Sequence, residues 1–279
     1  MRSGAGHVIR RWRFIVDYGR RGCSNMARDE ALAVSAGNGA PPALRVYRFE
    51  PPAISIGRFQ ELDRGINLDT CRAEGIELVR RPTGGLAILH ADDFTYSVTL
   101  PRGGSGLSAK ERCFSVVAKG ILESLRVLGV SARLSRHGDL RESASVWCLE
   151  SAFGVDLELG GRKICGSALR MFPGAILQHG TLFLSENRRF LDSITVGAGS
   201  GLTTGPSFVT LAEACGREVP WEAVQSAFGT GFADALGVRL EAGSLSEEEE
   251  ALAQRLTEEK YASEEWTGGG GEDSGRPAL

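Results

Sequence analysis

Arg80-Arg81-Pro82-Thr83-Gly84-Gly85, with Cys148 and Lys163 further along, are the residues of this chain best equipped for chemistry. Two arginines entering a Pro-Thr-Gly-Gly turn present forked, planar donors suited to a carbonyl or an anion. Adjacent glycines bring backbone N–H groups close to a ligand with no Cβ in the way. The competing reading is a tight hairpin whose arginines face solvent. Cys148 follows a polar loop and stands fifteen residues before Lys163. A nucleophilic cysteine needs partial exposure and a nearby cation that favours its thiolate. A cysteine beside Trp147 is by default a buried structural residue. Lys163, just after Gly160-Gly161, is by default a solvated hairpin lysine. His90 and His179 either line a pocket or serve as hydrogen-bonded structural residues.

The elements that must position these groups follow from pattern. A strand-like run at 76–79 leads into the arginines, and apolar segments at 86–90 and 94–100 supply two further strands. Upstream, Ser24 or Asn25 is expected to cap a helix running to Ala36, and 44–49 and 53–57 read as strands. Asn67 or Asp69 opens a short helix ending at Gly75. Ser108-Ala109-Lys110-Glu111 is a capping box ahead of a helix with a stripe at Phe114, Val117, Ile121, Leu125 and Leu128. Strands follow at 132–136 and 155–159, then a two-residue Gly160-Gly161 hairpin into 162–170, then 176–184. Gly197-Ala-Gly-Ser-Gly201 lacks the Lys-Ser/Thr of a phosphate loop and reads as a flexible loop. Helices near 207–215, 220–236 (Pro220 at its first position) and 246–260 complete the chain, with a short strand at 238–241.

Length and composition suit a globular enzyme: 279 residues, 42% hydrophobic and 24% charged. No apolar run approaches a membrane span, and the basic N-terminus lacks the apolar core of a signal peptide, so a cytoplasmic place and no membrane partner are expected. Six cysteines without CxxC spacing argue against zinc and for free thiols. Residues 1–206 hold 27 Lys and Arg against 20 Asp and Glu, a net of +7, while 207–279 hold 5 against 15, a net of −10. Glu247 to Glu250 read as a solvated acidic helix start. A basic body suits acidic partners; no aromatic-interleaved basic patch accompanies it, so no nucleic acid is expected.

Arg80-Arg81-Pro82-Thr83-Gly84-Gly85, His90 and Thr95-Tyr96-Ser97-Val98 together resemble the signature segment of the lipoate-protein ligase and octanoyltransferase superfamily, whose fold is shared with biotin protein ligases. The similarity continues in ordered blocks: Trp12-Arg-Phe-Ile with Asn25-Met-Ala-Arg-Asp-Glu30, Arg45-Val-Tyr with Pro51-Pro52 and Ser55-Ile-Gly57-Arg-Phe-Gln60, Gly161-Arg-Lys163-Ile-Cys-Gly166-Ser167-Ala168 with Gln178-His179-Gly180, and Glu259-Lys-Tyr261 with Glu265-Trp266. The resemblance implies an α+β fold, a mixed β-sheet flanked by helices like the biotin/lipoate protein ligase catalytic domain. That domain would span 12–266, with 207–266 a small, mostly helical C-terminal segment and 1–11 and 267–279 flexible tails.

It further implies an acyltransferase in which Cys148 is the nucleophile and Lys163 the active-site lysine. Arg81, Thr83, Gly84, Gly85, His90, Gly166, Ser167 and His179 would bind the acyl group or its carrier. Cys165, expected to share a strand face with Lys163 and Ser167, takes the place of a small family residue and reads as packing. The donor implied is octanoyl-acyl carrier protein, and the acceptors are lipoyl domains, either glycine-cleavage H protein or E2 subunits. A thioester is already activated, so no cofactor, ATP or metal, is expected. The alternatives are an amidotransferase drawing on the glycine-cleavage H protein, an ATP-dependent lipoate ligase, and an inactive scaffold that only binds acyl carrier protein. Leu86 replaces an arginine common after the glycines in such transferases. Phe94-Thr95-Tyr96 replaces the asparagine common in the ligases.

Overall fold

A computed structural model of the protein describes residues 10–62, 65–102, 108–134, 156–185, 194 and 208–269. Cys148, Arg188-Arg189, the Gly197–Gly201 loop and most of both expected tails lie outside them. Among the described residues, eight strands form one mixed sheet in the order β11-β1-β2-β6-β10-β9-β8-β7. These are β1 (Arg10–Arg20), β2 (Ala43–Phe49), β6 (Asp93–Pro101), β7 (Arg133–Leu134), β8 (Leu157–Leu159), β9 (Arg162–Phe172), β10 (Ala175–Phe183) and β11 (Val238–Gly243). β1 runs parallel to both β2 and β11, and the remaining pairings are antiparallel. A smaller sheet sets β3 (Ala53–Ile56) between β4 (Glu77–Arg80) and β5 (Ile88–His90).

Period-two alternation divides the main sheet into an apolar and a polar face. Leu44 and Val46 of β2 and Phe94, Tyr96 and Val98 of β6 join a core with helix α3 (Ala109–Val127), through its Val117, Ile121 and Leu125. Burying each such side chain stabilises by about 1.5–3 kcal/mol. Phe228 and Phe232 of helix α5 (Trp221–Leu236) close that core. The Ser108 capping box forms as its sequence implies. The opposite face carries Arg45 and Tyr47 of β2, Thr95 and Ser97 of β6 and His179 of β10, all buried beneath helix α1 (Gly22–Gly37). Helix α2 (Leu68–Ala73) is capped by Asn67, and α4 (Leu211–Cys215) by Thr210.

Several local expectations shift. Helix α1 begins at Gly22, and neither Ser24 nor Asn25 caps it. A Glu77 oxygen instead accepts the Gly22 N–H at 3.1 Å, while the Asn25 amide donates to the carbonyls of Arg20 and Arg48. Pro220 occupies the N-cap of α5 rather than its first turn. The acidic helix start is not simply solvated. In α6 (Glu247–Leu256), Glu249 receives both Arg13 guanidinium nitrogens at 2.6 and 2.7 Å, and Glu250 receives those of Arg28 at the same distances. Glu213, Glu222 and Glu241 likewise pair with Arg162, Arg48 and Arg11. The basic body and acidic C-terminal part therefore neutralise one another at several points. Arg10 and Arg11, expected in a flexible tail, are strand residues paired with Val238 and Arg239.

After α6 the backbone widens into a π turn (Thr257–Tyr261), then forms helix α7 (Glu264–Gly268). That last helix docks on β4. Arg80 donates to the Trp266 carbonyl at 2.9 Å and to the Thr267 carbonyl at 2.7 Å, and the Trp266 indole returns a bond to the Arg80 carbonyl at 2.9 Å. Thr267, expected in the flexible tail, is thereby held in place.

Candidate active site

A cavity with an empty volume of about 360 Å³, counting its open mouth, lies between the polar face of the main sheet, α1 and the small sheet. Met26, Tyr47, Phe49 and Ile88 make its apolar wall, and Ser55, Arg81, His90, Thr95, His179 and Thr181 supply polar atoms. Gly166 of β9 and Gly180 of β10, one register step apart on adjacent strands (Gly166 pairs with Thr181, Gly180 with Ser167), also line it. A Cβ on Gly180 would stand 2.3 Å from the Gly166 carbonyl and 2.5 Å from the Tyr96 hydroxyl, so only glycine fits there.

The solvent-facing reading of the arginine turn is overturned, for Arg80 and Arg81 are 0% and 3% exposed. Both donate to carbonyls. Arg80 holds Gly57 at 2.8 Å and Gln60 at 2.7 Å in addition to the C-terminal helix. Arg81 binds Ser55 at 2.9 Å, Gly84 at 2.7 Å and Leu86 at 2.8 Å, so it folds the turn as well as lining the cavity. Gly57 must be glycine because the Gly85 carbonyl lies 1.7 Å from where its Cβ would be. Thr83, Gly84 and Gly85, expected at the acyl group, are not among the cavity's lining residues. Thr83 sits behind it, its hydroxyl 2.6 Å from His179 Nε2.

Each histidine belongs to an aspartate–histidine–hydroxyl chain. His179 Nδ1 is 3.0 Å from Asp29, whose carboxylate also accepts Arg45 at 2.8 Å, Tyr47 at 2.9 Å and Ser97 at 2.6 Å. Burial would raise the Asp29 pKa, but the His179 hydrogen bond and the Arg45 charge outweigh it and hold the carboxyl below the usual range. Burial pushes the His179 imidazole down further than Asp29 lifts it, so the ring is neutral at pH 7. A carboxylate only accepts, so Nδ1 carries the proton and Nε2 accepts the Thr83 hydroxyl. In the second chain His90 Nδ1 is 2.7 Å from Asp93, Nε2 is 2.8 Å from Ser55 Oγ, and the ring stacks on Phe49.

Lys163 lies on β9 with its ammonium 3.0 Å from Asp156, and both side chains are largely buried. The β8–β9 ladder pairs Leu157 with Cys165 but Glu158 with Lys163, a bulge at Ile164. The simple alternation expected for Lys163 and Cys165 is thus interrupted, and Lys163, assigned to the reaction by the resemblance, is not among the cavity's lining residues. Cys165 is 1% exposed and burial pushes its thiol up to about 12, as suits a packing residue. Ser167 lines the cavity and shares a 2.7 Å hydrogen bond with Tyr96. Asp29, Arg45, Tyr47, Met26, Phe49, Asp93 and Asp156 carry much of this architecture and received no role from the sequence. The available signals were the Asn25–Glu30 block, which holds Met26 and Asp29, and the block that holds Arg45 and Tyr47.

A mixed sheet with helices on both faces and a small, walled cavity beneath its glycine-bearing strands is the architecture of a lipoate-ligase-type catalytic domain. The chain belongs to the lipoyl protein ligase A/B catalytic domain family, whose model matches residues 22–233. It is 39% identical to octanoyltransferase LipM of Symbiobacterium thermophilum, over 91% of this chain and 97% of that one. A bi-partite lipoate protein ligase of the lipoylation system of Thermoplasma acidophilum superposes at TM-score 0.79 and 26% identity, over 97% of this chain and 100% of that one. A lipoate-protein ligase A bound with ATP superposes at 0.78 and 27%, covering 93% and 99%. The chain is an enzyme of the acyltransferase class. Among the described residues no helix is long and apolar enough to cross a membrane.

Proposed function

We propose that the protein transfers an octanoyl group from octanoyl-acyl carrier protein to a lysine of a lipoyl domain, through a thioester on Cys148. The observation that carries this reading is the cavity, apolar along one wall and lined elsewhere by polar groups already bonded to protein. Such a site suits a short acyl chain. The Cys148 thiolate attacks the thioester carbonyl of the carrier, and the carrier's thiolate leaves and takes a proton. The target lysine's neutral amine then attacks the enzyme thioester, the Cys148 thiolate departs, and the amine's proton is released. Lys163, three residues before the lining Gly166 on β9, would supply an ammonium to each tetrahedral oxyanion. No ATP enters the balance, because the thioester carries the activation.

Mixing the protein with octanoyl-acyl carrier protein and measuring intact mass tests this. A hydroxylamine-labile octanoyl adduct should appear on wild type and on Cys165→Ala, and not on Cys148→Ala. An adduct on Cys148→Ala at the wild-type rate would overturn the cysteine assignment. The likeness to an ATP-bound lipoate-protein ligase sustains a second reading, ATP-dependent ligation of free lipoate or octanoate. Transfer from free octanoate that requires ATP, with none from the carrier thioester, would favour that reading.

A further inference from the structure

The apolar wall of the cavity does not end at the residues that touch the space. Met26, Tyr47 and Phe49 belong to one buried cluster that also contains Tyr261 and Trp266 of the C-terminal segment. The segment reaches that position through the π turn. Its Ala262 N–H bonds to the Thr257 carbonyl five residues back, at 2.9 Å. In a regular helix of 3.6 residues per turn, Leu256 and Tyr261 would point well apart. The i→i+5 turn brings residues five apart to one side, and both join this cluster.

The segment is then held in a single pose. Lys260 binds Glu30 at 2.8 Å, the Tyr261 hydroxyl donates to the same carboxylate, and Arg80 and Trp266 exchange bonds in both directions. The Tyr261 and Trp266 rings meet edge to face with centroids 5.8 Å apart. Two fully or nearly buried aromatics thus brace a wall that includes one methionine, the most adaptable of apolar side chains.

We infer that this C-terminal hook is the specificity-determining element of the cavity: Tyr261 and Trp266 fix how far Met26 and its neighbours can retreat, and so set the acyl chain length accepted. The inference rests on the acyl-transfer reading above. Space opened behind Met26 lets that side chain withdraw and admits further methylenes, each worth about 1–3 kcal/mol, or roughly 10–200-fold, in a pocket built to size.

The experiment compares wild type with Trp266→Ala and the milder Trp266→Leu and Tyr261→Leu, on hexanoyl-, octanoyl-, decanoyl- and dodecanoyl-pantetheine. The decanoyl-to-octanoyl ratio of kcat/KM should rise about tenfold or more. Because both donors meet the same sample, a variant that is merely less folded loses both rates and leaves the ratio where it was. A ratio unmoved in Trp266→Leu and Tyr261→Leu, which keep apolar side chains, overturns the inference, as does a wild type indifferent to length. A wild type selective for a length other than eight carbons would strike the octanoyl reading instead, while the shift of the ratio would still decide the role of the hook.

Discussion

His179 and Asp29 lie 3.0 Å apart, imidazole to carboxylate, and the far nitrogen of the same ring meets Thr83 at 2.6 Å. One buried, neutral ring thus ties helix α1 and strand β10 to the arginine turn. Its pKa is depressed below the ordinary 6.5, so on acidification the unfolded chain takes up this proton before the folded one does. Stability then rises with pH across that window and is lost as pH falls from about 6.5 toward the lower native value. Asp17 and Asp29, both held below their ordinary 3.8, extend the loss at more acidic pH. In His179→Gln, the amide N–H can serve Asp29 and the amide oxygen can accept from Thr83. That variant should show a flatter melting temperature between about pH 6.5 and 5. An unchanged slope would remove His179 from the account.

Lys163 is expected to matter for rate rather than for fold. Removing one oxyanion donor typically costs about 10²–10³ in kcat. Lys163→Ala should lose octanoyl transfer by that order. Because the change also strips Asp156 of the ammonium 3.0 Å away, the melting temperature must be measured beside it. Lys163→Arg, which keeps a cation for Asp156, should stay folded yet remain well below wild-type rate. Near-normal transfer in Lys163→Ala would return Lys163 to a structural ion pair.

How much of this was legible in the sequence depends on how local each cause is. The Ser108 capping box and the alternation of Phe94, Tyr96 and Val98 were readable because their physics lies within a few residues. Strand β1 was not readable: its partner β11 lies more than two hundred residues away, and Trp12, Arg13 and Phe14 carry no turn signal that isolates a strand. The side chains around the cavity were hard to read for a different reason. Arg45, Asp29 and Asp17 are charges whose burial only their mutual contacts at 2.7–2.8 Å permit, and those contacts join residues far apart in sequence. The bulge at Ile164, which interrupts the alternation expected between Lys163 and Cys165, is announced by no residue type.

Gly180→Ala tests whether the cavity floor is as tight as it looks. Its new Cβ would press on the backbone carbonyl of Gly166, which cannot swing aside as a side chain can. Overpacking of this kind costs about 1–3 kcal/mol, so the protein should fold with a lowered melting temperature. Because the same Cβ would meet Tyr96 on the apolar face, away from the cavity, KM for octanoyl-pantetheine should change little once the lost stability is allowed for. A KM raised out of proportion would mean that the acyl group seats against this glycine step.

The last prediction concerns the encounter with carrier proteins. Arg pairs at 10–11, 20–21, 80–81 and 188–189 suggested a basic rim around the pocket mouth that would speed association with acidic partners. Arg80 and Arg81 are buried and spent on carbonyls, while Arg11 is paired with Glu241, Arg20 with Asp17 and Arg21 with Glu77. Of the +7 carried by residues 1–206, Arg11, Arg13, Arg28, Arg48 and Arg162 are met by acids of residues 207–279. Steering is therefore expected near the lower end of its usual range, about tenfold rather than a thousandfold. Exposed charges are screened beyond about 8 Å at physiological ionic strength. Raising salt should accordingly lower kcat/KM for octanoyl-acyl carrier protein by up to about tenfold, with kcat changing less. Octanoyl-pantetheine, which has no acidic surface, should be nearly indifferent. Equal salt dependence for the two donors would sink the steering idea and leave the cysteine chemistry untouched.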